Sequence, residues 1–439
     1  MLYRVTRPIS NLVERYLPDP FVFVLMLTLI VLALASIVTP FSPTQVVEAW
    51  GQGFWRLLTF AMQMLLILIC GYMLASTPVC INALNRLATL AKTPVVAILM
   101  VTLVAMLASW INWGFGLVIG ALFAKALARQ VKVDYRILVA SAYSGFIVWH
   151  GGLSGSVPLT IASEGHFSQT NIGVISTSST LFSSFNLAIL GALLILLPIL
   201  NALLLPPKEQ QVLIDQSKLM DSSAPQSSQS EDLTPAQKLE HNKLLGTLIG
   251  ALGCTYLLYY FAVQGGTLNL NSVIAIFLFL AILLHQTPER LLTSLNSAIS
   301  GGAGIVIQFP FYAGIMAVMV ESGLAQQISS AFVSISSAES LPFWSFLSAG
   351  IVNIFVPSGG GQWAVQAPIV LPAAQMLEAD VARVAMAVAW GDAWTNLIQP
   401  FWALPVLAIA GLKARDIMGF CLIQLIFSGV IIAAMLTWA

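Results

Sequence analysis

Four long apolar stretches of this chain are broken in the middle by glycine, proline and polar side chains, and no other feature constrains the fold as strongly. Residues 94–124 are broken at Ser109-Trp110-Ile111-Asn112-Trp113-Gly114-Phe115-Gly116, and residues 342–376 at Val356-Pro357-Ser358-Gly359-Gly360-Gly361-Gln362-Trp363. Residues 136–162 are broken at His150-Gly151-Gly152-Leu153-Ser154-Gly155-Ser156, and residues 383–411 around Asp392, Thr395, Asn396, Gln399 and Pro400. The chain is 58% hydrophobic and 8% charged, against about 45–50% and about 25% in ordinary soluble domains. Lipid must cover most of its surface, which excludes a soluble enzyme, a nucleic-acid-binding protein and a disordered chain. In lipid, irregular backbone survives only where it is buried in protein or lines a cavity. The four breaks should therefore meet near the membrane midplane.

Uninterrupted apolar runs at 21–39, 57–76, 184–205, 244–263, 271–286, 302–320 and 417–437 are long enough to span, which takes about 20 residues. Short amphipathic stretches at 44–55, 79–91 and 324–336 predict helices lying at the interface, as does the face formed by Ile9, Leu12, Val13, Tyr16 and Leu17. Residues 1–20 mix Glu14 and Asp19 with Arg4, Arg7 and Arg15, unlike a cleaved signal peptide. Residues 206–243, opening Pro206-Pro207 and rich in Ser, Gln, Asp and Glu, read as a solvated cytoplasmic linker. Cys70, Cys80, Cys254 and Cys421 show no metal-ligand spacing and read as small hydrophobes.

The arms on either side of breaks 109–116 and 356–363 are about 15 residues each, too short to cross, so 94–124 and 342–376 predict re-entrant hairpins. Residues 136–162 and 383–411 predict discontinuous helices. The order repeats: a shift of 247 lays Arg136 on Arg383, Ala142 on Ala389, Pro158 on Pro405 and Asn112 on Gly359. With the N-terminus inside, only Arg56 and Arg383 of the 18 Lys and Arg fall outside. Lys125, Arg129, Lys132 and Arg136 then lie inside, while the corresponding loop with Glu378 and Asp380 lies outside. The predicted fold is an all-α polytopic membrane protein of two inverted-topology repeats, each with a re-entrant hairpin and a discontinuous transmembrane helix. It comprises an N-terminal repeat 1–205, the linker 206–243, a connecting helix 244–263 and a C-terminal repeat 264–439. Nine crossings put the C-terminus outside.

Half-helix N-termini at such breaks point free N–H groups at one place and favour an anion. Ser358, Gly359, Gly360, Gly361 and Gln362 are the leading candidates, with the amides of Gly360, Gly361 and Gln362 as donors. Tight helix packing is the plainer reading of such glycines. Ser109, Asn112, Gly114, His150, Gly152 and Ser154 are the counterparts in the first half, alongside Ser156. Asp392 is the one acidic residue placed in the membrane interior, and needs a proton, a cation or a hydrogen-bonded pocket. With Thr395 and Asn396 it is the candidate ion-coupling site; capping a broken helix is the plainer reading. His150 suits a proton relay, or simply bonds exposed backbone. Gln63 and Gln308 read as packing hydrogen bonds. No Lys or Arg falls inside the membrane, which favours a single small carboxylate over a di- or tricarboxylate, and the aromatics around the breaks suit a short aliphatic tail.

Asn353-Ile-Phe-Val-Pro-Ser-Gly-Gly-Gly-Gln-Trp-Ala-Val-Gln-Ala-Pro368 and Ala389-Trp-Gly-Asp-Ala-Trp-Thr-Asn-Leu-Ile-Gln-Pro-Phe-Trp402 resemble the bacterial short-chain fatty acid transporters of the AtoE type. The 109–116 and 150–156 strings are similar too, and the resemblance covers essentially the whole chain. It implies uptake of monocarboxylates such as butyrate, acetate or acetoacetate across the bacterial inner membrane, with no catalytic residue and no cofactor. More distantly the plan resembles the ion transporter superfamily, which implies coupling to Na⁺ or H⁺ and a homodimer. The tips here depart from the superfamily's Ser-Asn-Thr pattern, which favours H⁺. An intramembrane enzyme using Asp392 and His150 and a passive anion channel are the rivals; no GxSxG elbow, metal motif or repeated pore motif supports either.

Overall fold

A computed structural model describes residues 20–214 and 234–438, and every regular element among them is helical. The amphipathic face at Ile9–Leu17 and the middle of the linker lie outside the described residues. Seven helices are long and apolar enough to cross a membrane, or eight if the bent pair Val381–Ile398 and Trp402–Ala410 is one span. The chain is a multi-pass membrane protein. The connecting helix Lys243–Ala262 leaves Leu248, Leu252 and Leu258 exposed, as a lipid-facing helix must.

Amphipathic stretches fold as Pro43–Gly53, Pro78–Ala88 and Leu324–Ile335, of 11 or 12 residues, too short to span. Their starts are written in the sequence. Ser42 accepts the Gln45 N–H while the Gln45 side chain accepts the Ser42 N–H, and Thr77 accepts the Cys80 N–H. The run at 302–320 is the end of a 34-residue helix, Pro288–Glu321, capped by Thr287. Glu289, Arg290 and several serines hide its first half from a reading of apolarity.

Both hairpins form. The first comprises Pro94–Ile111 and Trp113–Gln130, 18 residues each and longer than the arms expected, because the helix runs on through Ser109 and turns only at Asn112. An arm of that length rises about 27 Å, so shortness is not what makes it a hairpin. Close approach of the arms shows the reversal. A Cβ on Gly116 would overlap Ser109, and one on Gly120 would lie 3.2 Å from Ala105 Cβ. The second hairpin comprises Leu341–Phe355 and Gly359–Met376. Gln362 Nε2 donates to Ala349 O at 2.9 Å, and Gln366 Nε2 to Ser348 Oγ at 3.4 Å, zipping its arms.

Each hairpin leads into a broken helix begun by an aspartate cap. Asp134 accepts N–H bonds from Arg136 and Ile137, and Asp380 from Ala382 and Arg383. The first runs Tyr135–Ser144, a tight-turned stretch Gly145–Gly151, then Ser156–Ile161. The second runs Val381–Thr395, the turn Asn396–Ile398, then Pro400–Ala410. Pro400 cannot donate to the preceding helix, so the chain restarts there. The order hairpin, then broken helix, thus occurs twice.

If the two halves are inverted, cysteines placed in loop 131–134 will react with a membrane-impermeant thiol reagent from the cytoplasm alone, and cysteines at 378–380 from the outside alone. Labelling of both loops from one side would refute the inversion.

Candidate functional site

Each hairpin tip is stitched to the broken helix of its own half. In the first half, Leu153 N–H donates to Trp110 O at 2.7 Å and Trp113 N–H to Ser154 Oγ at 2.9 Å. Gly152 presses so closely on Trp110 that a Cβ would lie 2.7 Å from its Cα. Only glycine allows this approach. In the second half Asn353 is the joint. Its side-chain nitrogen lies 2.7 Å from Asp392 O, 2.9 Å from Thr395 Oγ1 and 2.6 Å from Asn396 Oδ1, and its carbonyl accepts from Gln399 Nε2 at 2.5 Å.

The two breaks then meet. His150 Nδ1 lies 3.1 Å from Asp392 Oδ2, with both side chains essentially free of solvent (0% and 1% exposed). Asn396 Nδ2 adds a second donor to the same oxygen at 3.3 Å. Tyr143 O–H donates to Asn396 O at 2.5 Å. Asn186, on helix Ser184–Leu203, ties both breaks with one amide: it donates to Gly151 O at 3.0 Å and accepts from Trp390 Nε1 at 2.9 Å. The buried carboxylate therefore has charge-assisted donors on Oδ2, while Asp392 Oδ1, Asn353 Oδ1 and Gln399 Oε1 have no donor. Among the described residues no three His, Cys, Asp or Glu side chains gather to hold a metal ion.

Beside this network lies a cavity of about 390 Å³, within the range of small-molecule sites. All four interrupted stretches contribute to it: Trp113 and Gly114, Trp149 and Ser156, Pro357 to Gly360, and Trp402 with Pro405. Helices Leu58–Ala75 and Pro288–Glu321 close it with Met64, Leu68 and Tyr72, and with Ser297, Gln308 and Phe309. Among the described residues no Lys, Arg, Asp or Glu lines it. Its wall holds a tryptophan cluster, Trp113 lying 5.4 Å from Trp402 and 6.0 Å from Trp149 between ring centres.

The donors at the second tip differ from those the sequence suggested. Ser358 caps the half-helix, its Oγ accepting the Gly361 N–H at 3.3 Å and its C=O the Gln362 N–H at 2.6 Å. Gly361 and Gln362 amides are therefore already bonded, and Gly359 and Gly360, the first two residues of the half-helix, whose N–H groups have no partner within the helix, line the cavity. The Gln362 side chain lies in the arm interface, bonded to Ala349 O and Gln366 Oε1. Of the sequence candidates, Gly114, Ser156, Ser358, Gly359 and Gly360 reach the cavity wall. Asn112 caps Phe115, Ser154 holds Trp113, Gly152 packs on Trp110, and Ser109 sits under Gly116. His150, Asp392, Thr395 and Asn396 stand together one layer behind the wall. A Cβ on Gly359 would lie 2.7 Å from His150 Cε1, so the tip and the buried pair touch. Sequence reasoning missed Asn353, Asn186 and Tyr143, and read Gln308 as packing. Gln308 lines the cavity with its Oε1 bonded to Tyr312 O–H at 3.1 Å, which leaves its NH₂ as a donor.

Helical hairpins, broken helices and a cavity where they meet are the features of a polytopic membrane transporter. Two solved transporters share the fold: Alcanivorax borkumensis YdaH (TM-score 0.56, 14% identity, 95% of this chain and 98% of that one) and Neisseria gonorrhoeae MtrF (TM-score 0.53, 15%, 98% and 97%). The latter is described as illuminating a class of antimetabolite efflux pumps. The whole chain, residues 1–439, matches the family described as Short chain fatty acid transporter, and it belongs to that family. Relatives named as candidate short-chain fatty acid transporters are 44% identical in Escherichia coli (strain K12), over 100% of both chains, and 43% identical in Haemophilus influenzae, over 98% of both.

Two substitutions probe this geometry. A Cβ at position 360 would lie 2.7 Å from Phe60 Cζ, so Gly360→Ala must displace either the Phe60 ring or the tip at the cavity wall. Butyrate affinity in binding assays should fall roughly 10- to 100-fold, the equivalent of one charge-assisted bond, while the protein stays monodisperse. Asn353→Ala leaves buried acceptors unpaired at about 1–3 kcal/mol each. Its melting temperature in detergent should drop by several degrees; no change would show that Asn353 is not the joint.

Proposed function

We propose that this protein imports short-chain monocarboxylates such as butyrate, acetate or acetoacetate across the bacterial cytoplasmic membrane by alternating access, coupled to entry of a cation at Asp392. The N-terminus then lies in the cytoplasm and the C-terminus in the periplasm. One observation carries the reading: an uncharged, aromatic-walled cavity whose polar end is formed by free amides. The Gly359 and Gly360 N–H groups, with the Ser358 hydroxyl and the Gln308 amide, suit one carboxylate. The tryptophans and Phe309 suit a short alkyl chain. The cation reading rests on Asp392, where an unneutralised carboxylate is costly. Its contact with a histidine supports H⁺. Na⁺ is a second reading, supported by the donorless oxygens of Asp392, Asn353 and Gln399.

The test is uptake of labelled butyrate into proteoliposomes with pH and Na⁺ gradients imposed separately. One gradient should drive accumulation above equilibrium. Asp392→Asn should retain exchange of internal for external butyrate and lose accumulation. Uptake that only equilibrates under both gradients would mark a passive channel, and a chemically altered label an enzyme.

A further inference from the structure

Among the described residues the cavity extends to one side of the tips. Its lining stops at Met64 on Leu58–Ala75 and at Phe309 on Pro288–Glu321. Phe60, one turn before Met64, closes the other side. Its ring lies 5.9 Å from Phe167 and 5.8 Å from Phe309 between centres, and it packs on Gly360. In the open direction the walls run well past the tips. Met64 meets the second tip, its Cγ lying 3.4 Å from a Cβ placed on Gly360, and Leu68 meets the first at Gly114. Tyr72 stands one turn further on. At about 1.5 Å per residue the lining covers about 12 Å from Met64 to Tyr72, about 10 Å from Trp402 to Ile409 and about 18 Å from Phe309 to Ser297. The far end is a mouth: Ser297 and Ala408 are exposed there, and Leu404 is 56% exposed.

Butyrate does not fill this length. At about 1.3 Å per carbon, from C–C bonds of about 1.5 Å, its chain reaches about 4 Å beyond the carboxyl carbon and that of octanoate about 9 Å. A volume of about 390 Å³ holds about 13 groups the size of water at about 30 Å³ each, and butyrate has six non-hydrogen atoms. Between the tips and the mouth the wall stays apolar, with Leu117, Val118, Ile305 and Ile409. Two parts of the molecule supply it. Tyr72, Ala298 and Ile305 come from the two closing helices, and Leu117, Ala408 and Ile409 from the first hairpin and the second broken helix.

We infer that chain length is selected when the cavity closes and not when the acid binds: acids of about six to eight carbons bind more tightly than butyrate and hold the mouth open. This deepens the transport reading given above and rests on it. With its carboxylate at Gly359 and Gly360, the tail of such an acid lies along Leu68, Leu117 and Ile305 and ends beside Tyr72. Each added methylene leaves water for an apolar wall, a gain of about fourfold in affinity, or about 0.8 kcal/mol. Alternating access requires the mouth to shut before the Phe60 side opens. Walls carried on two different parts then come together, and a tail lying between them prevents it. A butyrate tail ends near Leu68 and leaves the mouth clear. Tyr72, Ala298 and Ala408 thus set the longest acid that is carried.

The experiment uses the purified full-length protein and straight-chain acids from acetate to octanoate. In competition against labelled butyrate in detergent, with the free acid fixed by dialysis, affinity should rise about fourfold per methylene from butyrate to hexanoate and level off by octanoate. In proteoliposomes, butyrate loaded inside should speed the entry of labelled butyrate, and octanoate loaded at a saturating concentration should slow it. Ala298→Leu, beyond the reach of a butyrate tail, should cancel most of the gain of octanoate over butyrate. Ala408→Phe, at an exposed position where folding is not at stake, should do the same. Hexanoate that binds no more tightly than butyrate, octanoate that speeds exchange as butyrate does, or an unchanged acid series in both variants would overturn the inference and leave butyrate transport standing. A wild type that binds none of the acids would overturn the transport reading, and this inference with it.

Discussion

A carboxylate sunk among apolar helices cannot be left without partners, and the interior of this protein is arranged around Asp392. Removing an ion from water costs several kcal/mol even after the surroundings relax. The repayment comes from three directions. His150 arrives from the first broken helix, Asn396 from one turn further along its own, and Asn353, across the hairpin, holds the Asp392 carbonyl. His150 sits in the tight-turned stretch Gly145–Gly151 and Asn396 in the turn Asn396–Ile398, so two of the donors come from the breaks themselves. The breaks and the buried charge therefore require each other: unwound backbone positions the donors, and the donors fix the unwound backbone.

The coarse plan was legible because it follows from the demand that every polar backbone group in lipid find a partner. Both hairpins, both breaks, the short amphipathic helices and the burial of Asp392 could be read from apolar runs and their interruptions. What could not be read was which amides remain free. Ser358 was singled out as a ligand, and its hydroxyl oxygen is engaged as a helix cap, so the available donors shift from Gly360, Gly361 and Gln362 back to Gly359 and Gly360. A shift of two positions lies within the uncertainty of where a helix starts. Asn353 and Asn186 carried a weak signal, an amide inside an apolar arm and another at a helix start. Their partners lie 39 and 204 residues away, and no local pattern encodes that.

Among the described residues no cationic side chain lines the cavity, and this sets the character of the site. A lysine or arginine would hold an acid strongly and would have to be desolvated each time the site emptied. Backbone amides and a primary amide supply direction with little net charge. On the proposed reading they would hold a carboxylate through geometry, and the aromatic wall would add a contribution that scales with the length of the alkyl chain.

The stitching of tips to breaks has a mechanical corollary. Moving either tip against its broken helix would sever Leu153–Trp110 and Trp113–Ser154, or the bonds of Asn353, all buried. Moving the two breaks apart would sever His150–Asp392 and both bonds of Asn186. The contacts of these parts with Leu58–Ala75 and Pro288–Glu321 are of another kind: Gly360 against Phe60, Gly361 against Tyr312, Gly114 against Leu68, with one long bond of 3.4 Å from Asn112 to Ile67 O. Packing contacts of that type can be exchanged for similar ones along a surface, and buried hydrogen bonds cannot. The soft coordinate of this molecule is the seam between those two helices and the stitched unit, and the stiff coordinates all lie inside that unit.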